Sequence, residues 1–224
     1  AADEPASMLP LSEVVWGELD RFRLVTDPRL RHQLRRMEGG SLPLHHYLAS
    51  YSGLIGRYGQ RSLLLPAAEG EAAAKQGLAG RLLRSGREID RYHLRWEGAW
   101  VSLEPSRIKS GGRRSYYAQP KILLRQTADR LRAVLDEEGY YCLNNIHLLV
   151  PARPGTSLRS LLGLINSGPL GRYYQAVAME QGRLYAQVDL DLLGALPVPP
   201  LSPDAAAELE DLVRRRESAA PSEA

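Results

Sequence analysis

The sequence predicts an α+β fold, with a β-rich core and helices at both ends. Between Ser12 and Met37, apolar residues recur every three to four positions, which is the spacing of an amphipathic helix. The same spacing returns after Pro203. Residues 81–150 instead contain short apolar segments interrupted by glycine and proline, a pattern typical of strands and turns.

The N-terminal part predicts two helices followed by strands. Asp27-Pro28 separates the helices, because the residue before a proline avoids the helical conformation, and Gly39-Gly40 ends the second helix. Residues 41–56 have the composition of strands and turns, and residues 67–80 have that of a loop or weak helix.

The middle of the chain predicts two strands and a helix between them. Lys121–Gln126 and Tyr140–Val150 are apolar enough to form strands, and Thr127–Asp136 fits a short helix. Ile108–Arg114 is predicted to be a basic loop that contains glycine.

The C-terminal part returns to helices. Ser157 can cap a helix that runs to Ile165, a second helix is expected at Leu170–Met179, and Pro203 opens the last one. Leu184–Val188 is a strand candidate. The prolines within Leu192–Pro200 favour extended backbone in that segment.

These elements divide the sequence into three expected parts. Residues 1–40 form an N-terminal helical extension, residues 41–200 form the main domain, and residues 201–224 form a C-terminal helix and tail.

Positive charge is concentrated in the middle of the chain. The net charge is only +3, but residues 79–132 contain thirteen arginine and lysine residues against five aspartate and glutamate residues. A basic cluster of this kind favours a polyanionic partner, because each phosphate that it neutralises releases bound counterions.

No motif for catalysis or metal binding stands out. The sequence has no Gly-x-Ser-x-Gly or Walker A motif, and its five histidines lack the spacing of metal ligands. The single cysteine, Cys142, excludes an internal disulfide and is predicted to be buried and inert. We therefore expect no catalytic residues and no bound metal.

The sequence also predicts a cytoplasmic protein that does not enter a membrane. It shows no signal peptide, and its apolar runs are too short to span a bilayer. Because it does not begin with methionine, we expect a piece of a longer chain or a processed product.

Two basic loops contain aromatic residues, one at Gly56–Arg61 and one at Ser110–Tyr117. Arginine can bind phosphate or guanine, glutamine and asparagine can pair with adenine, and glycine lets the backbone approach DNA closely. These segments are either DNA-binding loops or exposed turns flanked by half-buried tyrosines.

Six segments follow one another in the order of a known family. They are Tyr51–Gly56, Leu83–Tyr92, Tyr117–Gln126, Tyr140–Leu149, Leu158–Ser167 and Leu196–Pro199. Over roughly residues 42–200 the chain resembles the C-terminal target-recognition (specificity) domain of Taq-type N6-adenine DNA methyltransferases. That domain also occurs in fused restriction–modification enzymes and in bacterial phage-defence methyltransferases of the BREX type. The resemblance implies a module that recognises a specific sequence of double-stranded DNA.

The catalytic motifs of that family are absent from this sequence. It has no Asn/Asp-Pro-Pro-Tyr/Phe motif and no glycine-rich S-adenosylmethionine loop, and Glu88 stands where the family more often has aspartate. The resemblance therefore implies a chain that is not an enzyme by itself and holds no cofactor. Its partner would be a methyltransferase catalytic domain or subunit that binds S-adenosylmethionine. The terminal helices could dock on that part, form a homodimer, or cover the sheet of their own domain.

The resemblance places the DNA-binding residues on loops and strand edges. Lys121 and Arg125 lie on one face of a predicted strand, and both are expected to face DNA, although Leu123 between them leaves packing as the alternative for one of the two. Asn145 is either a base-reading residue or a side chain that caps a turn or satisfies backbone groups within the sheet. The predicted DNA-binding set is Arg57, Tyr58, Gln60, Arg61, Arg84, Arg87, Lys109, Arg113, Arg114, Tyr116, Lys121, Arg125, Gln126 and Asn145.

Two other functions stay open. A protein–protein adaptor of the same fold could use its basic face to bind an acidic partner or the catalytic subunit. An enzyme with an unrecognised site around Asp90, His93 and His147 is the third interpretation. Salt-dependent binding to one preferred duplex favours DNA recognition, whereas tight binding to one protein favours the adaptor.

Overall fold

A computed structural model describes residue 25 and residues 27–127, 130–178 and 187–219. The helices are α1 (Pro28–Glu38), α2 (Ala67–Ala74), α3 (Arg114–Ala118), α4 (Leu158–Ile165), α5 (Gly168–Ala178), α6 (Leu190–Gly194) and α7 (Pro203–Ser218). The strands are β1 (Leu42–Pro43), β2 (Leu48–Ser52), β3 (Ile55–Gly56), β4 (Leu64–Leu65), β5 (Ala79–Leu83), β6 (Ile89–Asp90), β7 (His93–Leu94), β8 (Trp100–Ser102), β9 (Ile108–Ser110), β10 (Lys121–Arg125), β11 (Ala133–Asp136), β12 (Tyr141–Cys142), β13 (Ile146–Pro151) and β14 (Pro197–Val198). The mixture confirms the predicted α+β class.

A four-stranded antiparallel sheet lies at the centre of the protein, in the order β11-β10-β13-β2. Strand β10 is buried on both faces. Its Ile122 and Leu124 pack in one apolar core, and Leu123 packs in a second core on the opposite face. A strand in this position needs apolar residues on both sides, which explains the unbroken apolar centre of β10.

Helices cover one face of this sheet. The first core contains Leu34 of α1, Leu162 of α4 and Val213 of α7. At Gly163 an added Cβ would lie only 2.8 Å from the Leu209 side chain, so the glycine lets α7 pack closely on α4. The described parts of α1 and α7 thus cover the sheet of their own domain, which is one of the three roles considered for the terminal helices.

A second four-stranded sheet, in the order β12-β5-β8-β4, packs on the other face of the central sheet. Leu82, Val101 and Leu148 belong to the core between the two sheets. Trp96 and Trp100 are half-buried at the margin of this core and meet edge to face, with ring centroids 5.4 Å apart.

Asn166 at the end of α4 completes one edge of the central sheet. Its side-chain amide accepts a hydrogen bond from the Ala133 backbone N–H at 3.0 Å and donates one to the Ala133 carbonyl at 2.9 Å. The amide therefore satisfies backbone groups of edge strand β11 that another strand would otherwise bind.

Several predicted elements are confirmed. Helix α1 begins after Asp27, whose side chain accepts from Arg29 N, and Ser157 caps α4 as predicted. The predicted helices from Pro203 and near Leu170 correspond to α7 and α5. The predicted helix that begins at Ser12, the end of the helix at Met179 and the start of the strand at Leu184 lie outside the described residues.

Four predictions of local structure are wrong. Ile108–Arg114 is not a loop throughout, because Ile108–Ser110 forms strand β9, which pairs with β3. Residues 133–136 within the predicted Thr127–Asp136 helix form strand β11, which pairs with β10. Tyr140–Val150 is not one strand, because a turn at Leu143–Asn145 separates β12 from β13. Part of Leu192–Pro200 is helical rather than extended, since Asp189 caps α6 through the N–H groups of residues 191 and 192.

Within the described residues, none of the helices has the length and apolarity needed to cross a bilayer.

Candidate nucleic-acid interface

The turn at Leu143–Asn145 joins two basic segments of the chain. Asn144 Oδ1 accepts a hydrogen bond from Gln60 Nε2 at 2.6 Å, on the side of the Gly56–Arg61 loop. Asn145 Nδ2 donates to the Arg84 carbonyl at 3.0 Å, on the side of the Arg84–Glu88 turn. Segments that are distant in the sequence therefore lie next to each other around this turn.

The Gly56–Arg61 loop is held by its own polar side chains. Gln60 Oε1 accepts from Gly56 N at 3.1 Å, and Gln60 Nε2 also donates to the Leu54 carbonyl at 3.2 Å. Arg57 Nε donates to the Ser106 carbonyl at 3.1 Å, and Arg57 N donates to the Arg107 carbonyl at 2.8 Å. Gln60 thus uses its amide to brace the loop, and its side chain is half-buried.

In the second basic segment, Ser110–Tyr117, only Gly111–Arg113 forms a loop, which we call the second loop. It lies against the first loop because β3 pairs with β9. Gly111 has a φ of +74°, and an added Cβ would lie 2.3 Å from the Gly53 carbonyl oxygen, so only glycine fits there. Tyr117 OH donates to the Gly111 carbonyl at 2.9 Å. The loop is therefore tied to the end of α3 as well as to the first loop.

Lys121 lies beneath this second loop and not on the surface. Its side chain is completely buried, with Nζ 2.6 Å from Asp136 Oδ2 and 2.8 Å from the Tyr117 carbonyl. The prediction that Lys121 faces DNA is wrong. A buried ammonium needs a charged partner, and Asp136 supplies it from the neighbouring strand. Lys121 holds the backbone of Tyr117, which in turn holds Gly111.

Arg113 is oriented by a pair of tyrosines. Its Nη1 donates to Tyr116 OH at 2.8 Å, and its Cζ lies 4.9 Å from the centre of the Tyr116 ring. Tyr116 is half-buried and stacks on Tyr51 with ring centroids 4.1 Å apart. A hydrogen bond with Tyr116 raises the pKa of Tyr51. Tyr116 therefore positions an exposed guanidinium.

The Arg84–Glu88 turn is built around a buried carboxylate. Glu88 Oε2 accepts from Arg84 N at 2.7 Å and from Ser85 N at 2.9 Å, and Glu88 Oε1 accepts from Glu97 N at 3.2 Å. Burial raises the pKa of Glu88, and these three N–H groups oppose that shift. The turn leaves the Arg84 and Arg87 side chains exposed.

Six exposed basic residues around these segments have no carboxylate partner among the described residues. They are Arg61, Arg84, Arg87, Lys109, Arg113 and Arg114, which together we call the loop surface. Other arginines nearby are paired, such as Arg81 with Glu138 and Arg107 with Glu104, both at 2.8 Å. The positive charge of the loop surface is therefore available to an external anion.

The remaining predicted residues have mixed positions. Tyr58 is exposed at the tip of the first loop, and Arg125 is half-buried with its side chain against Gly86. Gln126 is half-buried, and its backbone binds Asn145 and Val188. Asn145 Nδ2 donates to the Arg84 carbonyl, and Asn145 Oδ1 is buried without a partner among the described residues.

Sequence reasoning missed Glu88 and Asn144 as organising residues. For Glu88 a signal was present: Ser85 and Glu88 have the spacing of a capping box, and the structure contains that box. Asn144 gave no comparable signal, because its partners Gln60 and Leu54 lie far away in the sequence.

The three residues of the proposed unrecognised enzyme site do not form a unit. The Asp90 carboxylate pairs with Arg132 at 3.2 Å, and His147 is buried in the central sheet with Nε2 3.0 Å from the Val188 carbonyl. Within the described part of the chain, Asp90 and His93 pair across the β6–β7 hairpin, and no side-chain hydrogen bond or ion pair links either of them to His147. Within the residues that the structure describes, no group of His, Cys, Asp and Glu side chains could hold a metal ion.

Cys142 is buried as predicted, and burial raises the pKa of its thiol.

A groove of about 410 Å³ lies on the helical side, between α1 and α5. Leu30, Met37 and Tyr173 supply apolar surface there, and Arg36 and Arg172 are charged. The groove contains none of the predicted DNA-binding residues.

Comparison with known proteins identifies similar domains. A family described as the TaqI-like C-terminal specificity domain matches residues 82–198. The fold is similar to that of the type IIG restriction endonuclease BpuSI, at 14% identity and a TM-score of 0.58, covering 83% of this chain and 28% of that one. It is also similar to the type IIL restriction-modification enzyme MmeI in complex with DNA, at 12% identity and a TM-score of 0.50, covering 81% and 29%. The chain thus spans less than a third of either solved chain. No curated protein matches the sequence.

Proposed function

Since the chain belongs to the TaqI-like C-terminal specificity domain family, we propose that it recognises a specific sequence of double-stranded DNA. The setting would be an adenine DNA methyltransferase or restriction–modification enzyme that acts in bacterial phage defence. The names of the two similar solved structures, both restriction enzymes, support this setting.

One observation carries the proposal: two basic segments meet around the Leu143–Asn145 turn, and their exposed cations lack carboxylate partners within the described residues. Because the loops are braced, their backbone loses little freedom when the cations bind phosphates, and each phosphate contact releases counterions. The buried carboxylate of Glu88 and the half-buried amide of Gln60 hold the backbone that carries these cations.

Within this surface we assign different tasks to different residues. Arg84, Arg87 and Lys109 would bind phosphates and fix the register of the domain on the duplex. Arg113 is the best candidate for base contact, because Tyr116 holds its guanidinium in one orientation and arginine can bind guanine O6 and N7 together.

We propose that the chain does not catalyse a reaction alone. Its sequence lacks the Asn/Asp-Pro-Pro-Tyr/Phe motif and the S-adenosylmethionine loop. Methyl transfer would then belong to a fused or separate catalytic part that binds S-adenosylmethionine. The larger size of the similar solved chains is consistent with such a part. A homodimer through the terminal helices is a further arrangement of the same module.

The direct test is selection from a pool of randomised duplex DNA at about 0.15 M salt, near physiological ionic strength. We expect one short asymmetric motif to be enriched. The double variant Arg84→Gln/Arg87→Gln should lose retention, and the matched variant Arg215→Gln/Arg216→Gln, which changes two exposed arginines of α7, should keep it. Retention without enrichment would leave only phosphate binding. No retention would refute DNA recognition and favour the adaptor.

A further inference from the structure

Tyr58 combines unusual exposure with an unusually rigid position. It has 77% of its surface exposed, more than any other large apolar side chain among the described residues. It occupies the tip of a very tight turn, in which Arg57 and Gly59 are bridged to each other.

The backbone on both sides of Tyr58 is fixed. On one side, Arg57 is bonded to Arg107 and Ser106. On the other side, Ser62 N and Ser62 Oγ both bind the Gly59 carbonyl, and Gln60 clamps Gly56. A tyrosine has only two side-chain torsions, so its ring can enter a contact with little loss of conformational entropy.

The surroundings of Tyr58 indicate the chemistry of its target. Arg61 follows it in the same loop, and Lys109 lies on β9, which pairs with β3 directly before the loop. Both are exposed cations of the loop surface. A flat ring beside phosphate-binding cations is suited to stacking on a nucleobase, because bases offer a π-face next to a charged backbone.

In an intact duplex each base face is covered by its neighbour, so the ring can reach one only where a base step opens. Resting on the proposed function, we propose that Tyr58 is a wedge that inserts into an opened base step of the bound duplex. The cost of unstacking one step is comparable to the gain from stacking one aromatic ring on a base. Insertion is therefore favoured at steps that open easily, such as pyrimidine–purine steps, or beside a base that a catalytic part has extruded. Tyr58 lies outside residues 82–198, the part of the chain that matches the family.

A duplex with one abasic site tests this inference without knowledge of the target sequence. The missing base removes the cost of unstacking and leaves a gap that a ring can fill. We expect the full chain to bind this duplex about tenfold more tightly than the intact duplex, by fluorescence anisotropy. Tyr58→Ala should abolish that preference, and Tyr58→Phe should keep it. Because the side chain is exposed, neither change should disturb the fold.

Arg61→Gln is the matched control in the same loop, and it should weaken binding to both duplexes equally while the preference remains. Equal affinity of the unchanged protein for both duplexes, or a preference that survives in Tyr58→Ala, would overturn the wedge and leave the proposed function intact. Failure to bind either duplex would instead refute the proposed function, and the wedge with it.

Discussion

The two faces of the central sheet are stabilised in different ways. On the helical face, side chains of α1, α4 and α7 meet in an apolar core, and surface ion pairs such as Arg159 with Glu137 and Glu217 link the helices to their neighbours. On the opposite face, much of the backbone near the loop surface is irregular. It is held by the buried side chains of Lys121, Asp136 and Glu88 and by the half-buried pair of Gln60 and Asn144.

The difference shows how an irregular surface can be rigid. Helices satisfy their own backbone groups, so their side chains are free for packing and for surface pairs. Loops leave backbone groups unsatisfied, and the buried carboxylate and amides supply the missing partners. Arg113 and Arg114 also bind within the fold, to Tyr116 OH and the Leu103 carbonyl, but the cations of the loop surface have no carboxylate partner among the described residues and can bind another molecule.

The largest effect is expected when the buried ion pair is broken. Lys121→Met leaves the Asp136 carboxylate buried without its cation, so we expect the free energy of unfolding to fall by about 3–5 kcal/mol. Urea denaturation followed by circular dichroism measures the loss. The control Arg215→Met, at an exposed position of α7, should change stability by less than about 0.5 kcal/mol. A loss below about 1 kcal/mol for Lys121→Met would show that the pair is not a clamp.

The second prediction distinguishes the effect of loop structure on DNA affinity from the effect of charge alone. Glu88→Ala removes a negative charge, which by itself should strengthen DNA binding, but it also releases three backbone N–H groups. We expect affinity for duplex DNA to fall about tenfold, or about 1.4 kcal/mol. Glu104→Ala removes an exposed acid that pairs with Arg107, and it should leave affinity unchanged or higher. Stronger binding by Glu88→Ala would contradict the clamp.

The third effect is a pH dependence on the helical face. Burial lowers the pKa of His147, so the folded state binds fewer protons than the unfolded state near the ordinary value of about 6.5. The stabilisation is present above that value and is lost as the pH falls through it toward the lowered pKa. In a titration from pH 7 to 5, we expect this histidine to lower the free energy of unfolding by up to about 1.4 kcal/mol for each pH unit below 6.5.

Urea denaturation of His147→Gln should show a shallower decline in stability over this range. His32→Gln, at an exposed position of α1, should keep the slope of the unchanged protein. If the two variants have the same slope, another group is responsible for the dependence.

The last prediction compares two glycines with positive φ. Gly59 has a φ of +87° in the first basic loop, and Gly155 has a φ of +76° in the loop before α4. Alanine at either position should cost about 1–2 kcal/mol of stability because of backbone strain. Only Gly59→Ala should also weaken DNA binding, since it moves Tyr58 and Arg61. Anisotropy titrations that show equal losses for both variants would contradict the assignment of these loops.

Local signals predicted the elements that local chemistry determines. The Ser157 cap, the Pro203 start and the apolar centre of β10 all depend on neighbours in the sequence, and each was predicted correctly. Strand β11 was mistaken for a helix because it is buried on both faces. Its Ala133 and Val134 pack in different cores, so no period-two alternation was visible.

The candidate site depended more on distant contacts. The exposed arginines could be predicted from the clustering of charge, but the sequence does not show that Lys121 meets Asp136 on the next strand. The same holds for Asn145, whose amide binds a carbonyl at residue 84. Whether a polar side chain of this region binds inside the protein or stays exposed thus depends on strand pairing, which the local sequence does not show.

The salt dependence of DNA binding tests the central claim most directly. The variant with Arg61, Arg84, Arg87 and Lys109 all changed to glutamine is compared with one in which Arg29, Arg36, Arg215 and Arg216 of the helical face are changed. In a plot of log Kobs against log salt concentration, we predict a slope that is shallower by about 0.9 for each phosphate that the first variant no longer binds. The second variant should keep the slope of the unchanged protein. An unchanged slope for the loop variant together with a shallower slope for the helical variant would contradict the account.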